Sequence, residues 1–230
     1  MRRLTFIPVA LLCVALAASE SAAETPIDYS YLDIEYGIDS TIEMFGGSFD
    51  SDDGLAVTAS WQIGERWYTL ARYATNGYDL QLRDKFYLEF LTAGAGYRYP
   101  IRQGETPIDL IVQITLEYHT TKIETPPTIT KISDEGLGLR SGFRALITPH
   151  FEVGAFSYYI GYGDLPLKFA DELDGLHFEL TAALELSDRF TLVGTYLTGE
   201  LDYPFLPGFE YPVQVEVDRD DLRLGLRFRF

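Results

Sequence analysis

The last nine residues of the chain read Leu222-Arg223-Leu224-Gly225-Leu226-Arg227-Phe228-Arg229-Phe230. Apolar side chains occupy every second position, and arginine or glycine occupies the positions between them. Successive side chains of a β-strand point to opposite faces. The terminal segment therefore predicts a strand with one apolar face and one cationic face.

The same alternation returns through the rest of the chain, and it predicts nine further strands. None of the apolar runs after residue 23 is long enough for a transmembrane helix. The ten predicted strands are 29–39, 54–63, 66–75, 85–100, 107–123, 136–148, 151–163, 175–187, 189–201 and 214–230. The sequence therefore predicts an all-β protein.

The connectors between the predicted strands alternate between short and long. The tight ones are Gly64-Glu65, Arg102 to Thr106, Pro149-His150 and Asp188. The longer ones are polar and rich in Gly, Pro and Asp: 40–53, 76–84, 124–135, 164–174 and 202–213. An up-and-down barrel in an outer membrane has short periplasmic turns and longer external loops. We therefore expect a transmembrane antiparallel β-barrel of ten strands with both termini in the periplasm.

Aromatic side chains lie near both ends of the predicted strands. We expect those near the short turns to form an aromatic girdle at the membrane interface: Trp61, Tyr97, Tyr99, Phe151 and Phe190. Aromatic belts, and strands longer than the roughly 9–11 residues that cross a bilayer, favour a membrane barrel. The alternative is a soluble lipocalin-like barrel or a sandwich, whose apolar face points inward.

The first 23 residues have the pattern of a secretory signal peptide. Arg2 and Arg3 precede an apolar stretch from Leu4 to Ala18, and the small residues Ser21-Ala22-Ala23 follow it. The apolar stretch is too short to span a membrane. We expect cleavage after Ala23, which leaves a barrel domain of residues 24–230. The single cysteine, Cys13, lies in the leader, so the barrel has no disulfide or cysteine-ligated metal.

The charge and composition of the chain exclude two functional classes. Its formal net charge is −17, and so acidic a surface repels nucleic acid. Apolar residues make up 47% of the chain, which excludes intrinsic disorder.

The terminal strand that ends in Phe228 and Phe230 resembles the C-terminal assembly signal of bacterial outer-membrane barrels. With the architecture above, the mature chain is similar to the OmpA/OmpX-like superfamily of small barrels. The resemblance implies contact with outer-membrane lipid and lipopolysaccharide, and recognition of the last strand by the barrel-assembly machinery. The closest small members have eight strands, so eight is the alternative if the pair within 54–75 is miscounted.

The polar faces of the strands are expected to point into the barrel. Barrel closure places the first strand beside the last, so we expect Asp33 and Glu35 to face the terminal arginines. The predicted interior charges are Asp33, Glu35, Arg72, Glu117, Arg140, Arg144, Glu179, Arg223, Arg227 and Arg229. Side chains fill an eight-stranded barrel, and ten strands leave slightly more room. We therefore expect a narrow or plugged lumen.

The sequence is compatible with three functions. A structural or surface-interaction barrel fits a filled lumen best, and a narrow porin-like channel for small solutes is the alternative. A surface hydrolase would depend on His119 and His177, which have carboxylates nearby. Those histidines lie on strands that are not adjacent, and the chain lacks the Asp-Asp and Asp-His pairs of omptin proteases. We expect no catalytic residue, cofactor or bound metal inside the barrel.

Acidic groups recur in and beside the predicted loops. They lie at 50–53, 134–135, 171–174 and 218–221. Together they predict an acidic external rim that recruits divalent cations shared with lipopolysaccharide.

Overall fold

The structure is a computed structural model that describes residues 27–44, 46–51, 53–79, 85–103, 106–125, 127–162, 174–203 and 215–230. The predicted signal peptide and the loop segments 163–173 and 204–214 lie outside the described residues. Within those ranges, no helix is long and apolar enough to cross a membrane.

The described residues form eleven strand segments. They are β1 (Tyr31–Met44), β2 (Gly47–Ser51), β3 (Leu55–Ile63), β4 (Trp67–Asp79), β5 (Lys85–Arg102), β6 (Ile108–Thr125), β7 (Thr128–Thr148), β8 (Phe151–Tyr162), β9 (Asp174–Glu185), β10 (Phe190–Tyr203) and β11 (Val215–Arg229). β2 pairs with residues 40–44 of β1, and β3 pairs with residues 31–36 of β1. Because β2 and β3 follow one another along the same side of β1, together they form one strand of the wall. The wall therefore has ten strands, as the sequence predicts, and the eight-strand alternative is wrong.

The sheet closes on itself through β1 and β11. Their antiparallel ladder runs from the pair Tyr31–Arg229 to the pair Glu43–Asp218. Every other neighbouring pair in the order β11 to β3 is antiparallel and consecutive in the chain. Closure removes the exposed sheet edges on which other strands could add. The fold is an up-and-down antiparallel barrel.

The two ends of the barrel differ. At the turn end, tight connections such as residues 64–66 and 149–150 join the strands. The first residue of β1 and the last residue of β11 lie at this end as well. At the loop end the strands run further than the sequence predicts. The predicted loop 124–135 is the paired end of β6 and β7, and much of 40–53 is a hairpin of β1 and β2.

These loop predictions are wrong because a polar strand end and an irregular loop have the same composition. An 18-residue strand such as β6 is about 59 Å long at roughly 3.3 Å per residue. With a tilt of about 40° it spans about 45 Å along the membrane normal, which is more than the roughly 30 Å of a bilayer core. Its loop-end part therefore lies in water, where threonine and lysine side chains are compatible with a ladder.

The outer surface of the barrel carries an apolar band. Leucine, isoleucine and phenylalanine side chains on the outward positions remain open, for example Ile114 at 63% exposure and Leu180 at 55%. A soluble barrel would turn these positions inward. The apolar face points outward, so the strands cross a membrane and the soluble alternative is wrong.

A bulge in β1 changes which residues face inward. Asp33 and Glu35 are buried below it, whereas Ile42 and Met44 are buried above it. The register with β11 shifts between Gly37 and Asp39, and the Gly37 amide donates to the carbonyl of Gly54 at 2.8 Å. One extra residue moves the following side chains to the other face. The inner face of β1 is therefore acidic in the membrane and apolar at the loop end.

Two apolar clusters close the interior. The loop-end cluster consists of Ile42, Met44, Tyr78, Phe86, Leu88, Ile160, Leu201 and Val217. The turn-end cluster consists of Ile27, Tyr29, Tyr68, Ile111 and Phe156. Charged side chains occupy the space between them.

Candidate functional site in the barrel interior

Arg227 of β11 lies at the centre of the charged groups nearest the turn end. Its Nε and Nη2 atoms donate to the two carboxylate oxygens of Asp33 at 2.8 and 2.9 Å. Its Nη1 atom lies 3.7 Å from Glu152, which also accepts two hydrogen bonds from Arg144 at 2.8 and 2.9 Å. This chain of ion pairs joins β1, β11, β8 and β7 across the closure of the barrel. We call it the seam network.

Tyr29 connects the seam network to the turn-end cluster. Its hydroxyl donates to Asp109 at 2.9 Å, and Arg98 donates to the same carboxylate oxygen at 3.0 Å. The Arg144 guanidinium lies 4.5 Å from the centre of the Tyr29 ring, a cation–π contact. The Ser60 hydroxyl donates to the Tyr29 carbonyl at 2.8 Å. The segment before β1 is thus held inside the turn end.

Glu179 of β9 lies in the middle of the interior between two arginines. Arg72 of β4 donates to its Oε2 atom at 3.3 Å, and Arg140 of β7 donates to its Oε1 atom. The Arg140 guanidinium also lies 3.7 Å from the centre of the Phe156 ring. We call Arg72, Glu179 and Arg140 the central triad.

Asp221 organises the charged groups nearest the loop-end cluster. Its carboxylate accepts hydrogen bonds from Ser40, from Asn76 at 2.6 Å, and from both Arg219 and Arg223. Arg223 also donates to the Asn76 side-chain carbonyl at 2.6 Å. A buried carboxylate with this many donors compensates for its own desolvation and for part of that of the arginines.

Glu35 and Glu117 bind hydroxyl groups. Glu35 accepts from Thr195 at 2.5 Å, and Glu117 accepts from Thr92 at 2.6 Å and from Tyr158. The residue opposite Glu35 in β11 is Gly225, which has no side chain to offer. Of the two acids expected to face the terminal arginines, the structure thus places only Asp33 within ion-pair distance of one.

The structure places every predicted interior charge on an inward position or at the turn-end rim. Arg229 is the one at the rim, where it lies 3.6 Å from Glu185. Further interior residues were not predicted: Arg98, Asp109, Glu152, Arg219 and Asp221. Asp221 was expected on the acidic external rim, but it is inward and only 2% exposed. The alternation of β11 already carries this signal, since Arg219 and Asp221 share the parity of Arg223 and Arg227.

The predicted girdle residues lie at the turn end. Trp61 packs against Phe230 with ring centres 4.9 Å apart, and Tyr97 packs against Trp67 at 4.9 Å. Phe190 lies 5.6 Å from Phe228. Tyr99 and Phe151 occupy the same rim, on β5 and at the start of β8. The terminal phenylalanines therefore lie within the aromatic contacts of this rim.

Both candidate histidines are buried inside the barrel. The His119 ring stacks on Phe90 at 4.6 Å between centres, and His177 lies 6.2 Å from Tyr158. The Arg219 guanidinium lies 4.8 Å from the centre of the Phe90 ring, a cation–π contact next to the stacked His119 ring. His119 and His177 are only 1% and 3% exposed, whereas a surface hydrolase needs catalytic side chains that a substrate outside the barrel can reach.

One acidic group at the loop end has a geometry that suits a cation. The carboxylates of Glu200, Glu216 and Asp218 are exposed, and their nearest oxygens lie within 4.8 Å of one another. Exposed acidic groups are common without an ion, so recruitment of divalent cations stays a prediction that calorimetric titration with calcium tests.

A cavity of about 120 Å³ lies between the two apolar clusters. The central triad, the seam network and apolar side chains such as Phe90 and Leu197 line it. The interior is thus crowded, but it is not completely filled.

Comparison with known proteins identifies the fold. No family model matches the chain, and no curated protein matches it. Among solved structures, the outer membrane protease OmpT from Escherichia coli is 9% identical, with 93% of this chain and all of that chain covered and a TM-score of 0.52. Neisserial surface protein A (14% identity, 87% and 96% covered, TM-score 0.46) and Ail, the attachment invasion locus protein of Yersinia pestis (13%, 88% and 100%, 0.40), are also similar. With its closed ten-stranded wall and its apolar outer band, the chain has the fold of the Gram-negative outer-membrane β-barrels.

Proposed function

We propose that this chain is a closed barrel of the outer membrane with a structural or surface-interaction role. The observation that carries the proposal is the layered interior: an apolar cluster at each end and paired charges between them. Conduction requires a continuous water path, and apolar constrictions exclude water. In the loop-end cluster, Ile42, Leu88 and Leu201 have no exposed surface. That packing supports a barrel that does not conduct.

The proposed orientation puts the turn end in the periplasm. Short turns face the periplasm in bacterial barrels, and the first residue of β1 and the last residue of β11 then lie there. The long loop-end strands extend outward into the lipopolysaccharide layer, where they form the surface available for contact. Phe228 and Phe230 on the periplasmic side are then accessible to the barrel-assembly machinery.

The alternative is a narrow channel for small solutes, and the interior cavity is the observation that favours it. Heat-modifiable migration and single-channel recording of the protein in lipid bilayers distinguish the two functions. We expect a band that shifts on boiling and a bilayer that stays electrically silent. Discrete conductance steps would contradict the closed barrel and would support the channel.

A further inference from the structure

We propose that the interior cavity binds one small carboxylate with an apolar body, whose carboxylate group contacts Arg72 and Arg140. The size, the accessible charge and the apolar lining of the cavity each support this class of ligand.

The cavity is large enough for an organic molecule. A single water needs about 10–15 Å³ of cavity volume, so a cavity of about 120 Å³ holds on the order of ten waters. A ligand with roughly the same number of non-hydrogen atoms would fill it.

The charge that the cavity exposes is positive. Of the charged side chains that line it, only Arg72 and Arg140 are more than a tenth exposed, at 21% and 19%. Both donate to Glu179, one to each of its oxygens, so the central triad carries two positive charges and one negative. The triad taken by itself therefore has a formal charge of +1, and its two guanidinium groups are the accessible part of it.

Over the whole lining, six arginines outnumber five carboxylates, so the formal charge of the lining side chains is +1. Glu35 accepts a hydrogen bond from Thr195, and Glu117 accepts hydrogen bonds from Thr92 and Tyr158. Asp33 and Glu152 are engaged by Arg227 and Arg144 in the seam network.

The two exposed arginines have hydrogen-bonding capacity left for a ligand. A guanidinium carries five N–H donors in a planar fork that matches a carboxylate. Within the described residues, Arg72 donates one side-chain hydrogen bond and Arg140 donates two, to Glu179 and Gln113. A ligand carboxylate can therefore accept hydrogen bonds from both side chains without displacing Glu179.

One part of the lining is apolar. Phe90, Phe156 and Leu197 line the cavity, and Ile160 and Val193 complete its apolar wall. A pocket with an apolar wall and a few convergent polar groups is typical of small-molecule sites. Inorganic phosphate would leave this wall in contact with water only, whereas an aromatic or short-chain carboxylate covers it.

Equilibrium dialysis of the folded barrel in lipid nanodiscs against labelled benzoate tests the proposal. We expect saturable binding of one benzoate per barrel, with competition by hexanoate. Benzyl alcohol has the same ring without the charge, so it should bind at least about tenfold more weakly, because a hydrogen bond to a charged group contributes roughly 1.5–3 kcal/mol.

Variants locate the site. Arg72→Gln and Arg140→Gln should each weaken benzoate binding about tenfold. Arg229→Gln is the matched control: Arg229 is 23% exposed but lies at the turn end and does not line the cavity. Leu197→Trp keeps every charge and fills the apolar space, so it should abolish binding. Heat-modifiable migration confirms that each variant is folded.

The proposal is wrong if neither benzoate nor hexanoate binds saturably to the wild-type barrel. It is also wrong if binding persists unchanged in Arg72→Gln, Arg140→Gln and Leu197→Trp, which would indicate partition into the bilayer. Neither result bears on whether the barrel conducts, so the closed-barrel function is tested separately.

Discussion

Arg227 joins the last strand to the first through a bidentate ion pair in the seam network. Its two bonds to Asp33 are bidentate, and both side chains are buried. Loss of one partner from a buried ion pair costs about 3–5 kcal/mol. Arg227→Glu also places a third carboxylate beside Asp33 and Glu152, so we expect at least that loss and a lower thermal unfolding temperature.

The control for this prediction is Arg189→Glu, which changes an exposed arginine in the turn before β10. Exposed substitutions usually stay within about 0.5 kcal/mol. Thermal unfolding followed by heat-modifiable migration measures both variants. An unfolding temperature of Arg227→Glu that matches the wild type would rule out a stabilising seam network.

Asp221 and Asp218 are two carboxylates of the same strand with opposite surroundings. Asp221 is inward and binds Arg219 and Arg223, whereas Asp218 is outward and exposed. Asp221→Asn keeps the shape but leaves two buried arginines without their carboxylate, so we expect a loss of about 3–5 kcal/mol in the free energy of unfolding. Asp218→Asn should leave that free energy within about 0.5 kcal/mol of the wild type. Urea unfolding in lipid vesicles compares the two, and equal effects would contradict the inward placement of Asp221.

Side-chain parity explains how much of the interior could be predicted. Arg72, Glu117, Arg140, Arg144 and Glu179 follow from strict alternation within long strands. The same rule gives Asp109, Glu152 and Asp221, which also lie within the predicted strands, but close to strand ends, where a charge fits a water-exposed turn or rim equally well. The partners across the interior, such as Glu179 for Arg72, depend on strand tilt and stagger, and alternation within one strand carries no information on these.

At the scale of elements, the segment before β1 is part of the interior. The sequence predicts a first strand from residue 29, but Tyr29 lies inside the turn-end cluster and β1 begins at Tyr31. The bulge in β1 was also unpredictable, because a single extra residue between Gly37 and Asp39 leaves no composition signal. Strict alternation places Ile42 and Met44 on the outward, apolar face, so their composition gives no sign that the bulge turns them inward.

Tyr29→Ala tests whether this segment stabilises the turn end. The substitution removes a buried aromatic ring, its hydrogen bond to Asp109 and its contact with Arg144. Truncation of a buried aromatic side chain costs about 3–5 kcal/mol. Tyr36→Ala is the control, since Tyr36 is 53% exposed on the lipid face. This substitution should lower the free energy of unfolding less than Tyr29→Ala does. Urea unfolding in lipid vesicles measures both, and a Tyr29→Ala effect no larger than the control would show that the segment is only loosely held.

At the scale of the whole molecule, the strand number and the closure of the barrel could be predicted from the sequence. Both depend on the number of segments in which apolar and polar residues alternate. The layered interior does not follow, because it depends on how the ends of ten strands meet. The two apolar clusters close the barrel in series, one at each end. Because the clusters lie one after the other along the barrel, either cluster alone is enough to exclude a water path.

We therefore expect single variants at either end to remain electrically silent. Tyr29→Ala removes the centre of the turn-end cluster, and Phe86→Ala removes a large, fully buried ring from the loop-end cluster. Only the double variant should open a path through the central cavity and conduct in discrete steps in a planar bilayer. A matched double variant on the lipid face, Tyr36→Ala with Leu116→Ala, should stay silent because neither side chain lines the interior. Conductance in one single variant would show that the other cluster does not close its end. A silent but folded double variant would show that the paired charges, rather than the apolar clusters, block the barrel.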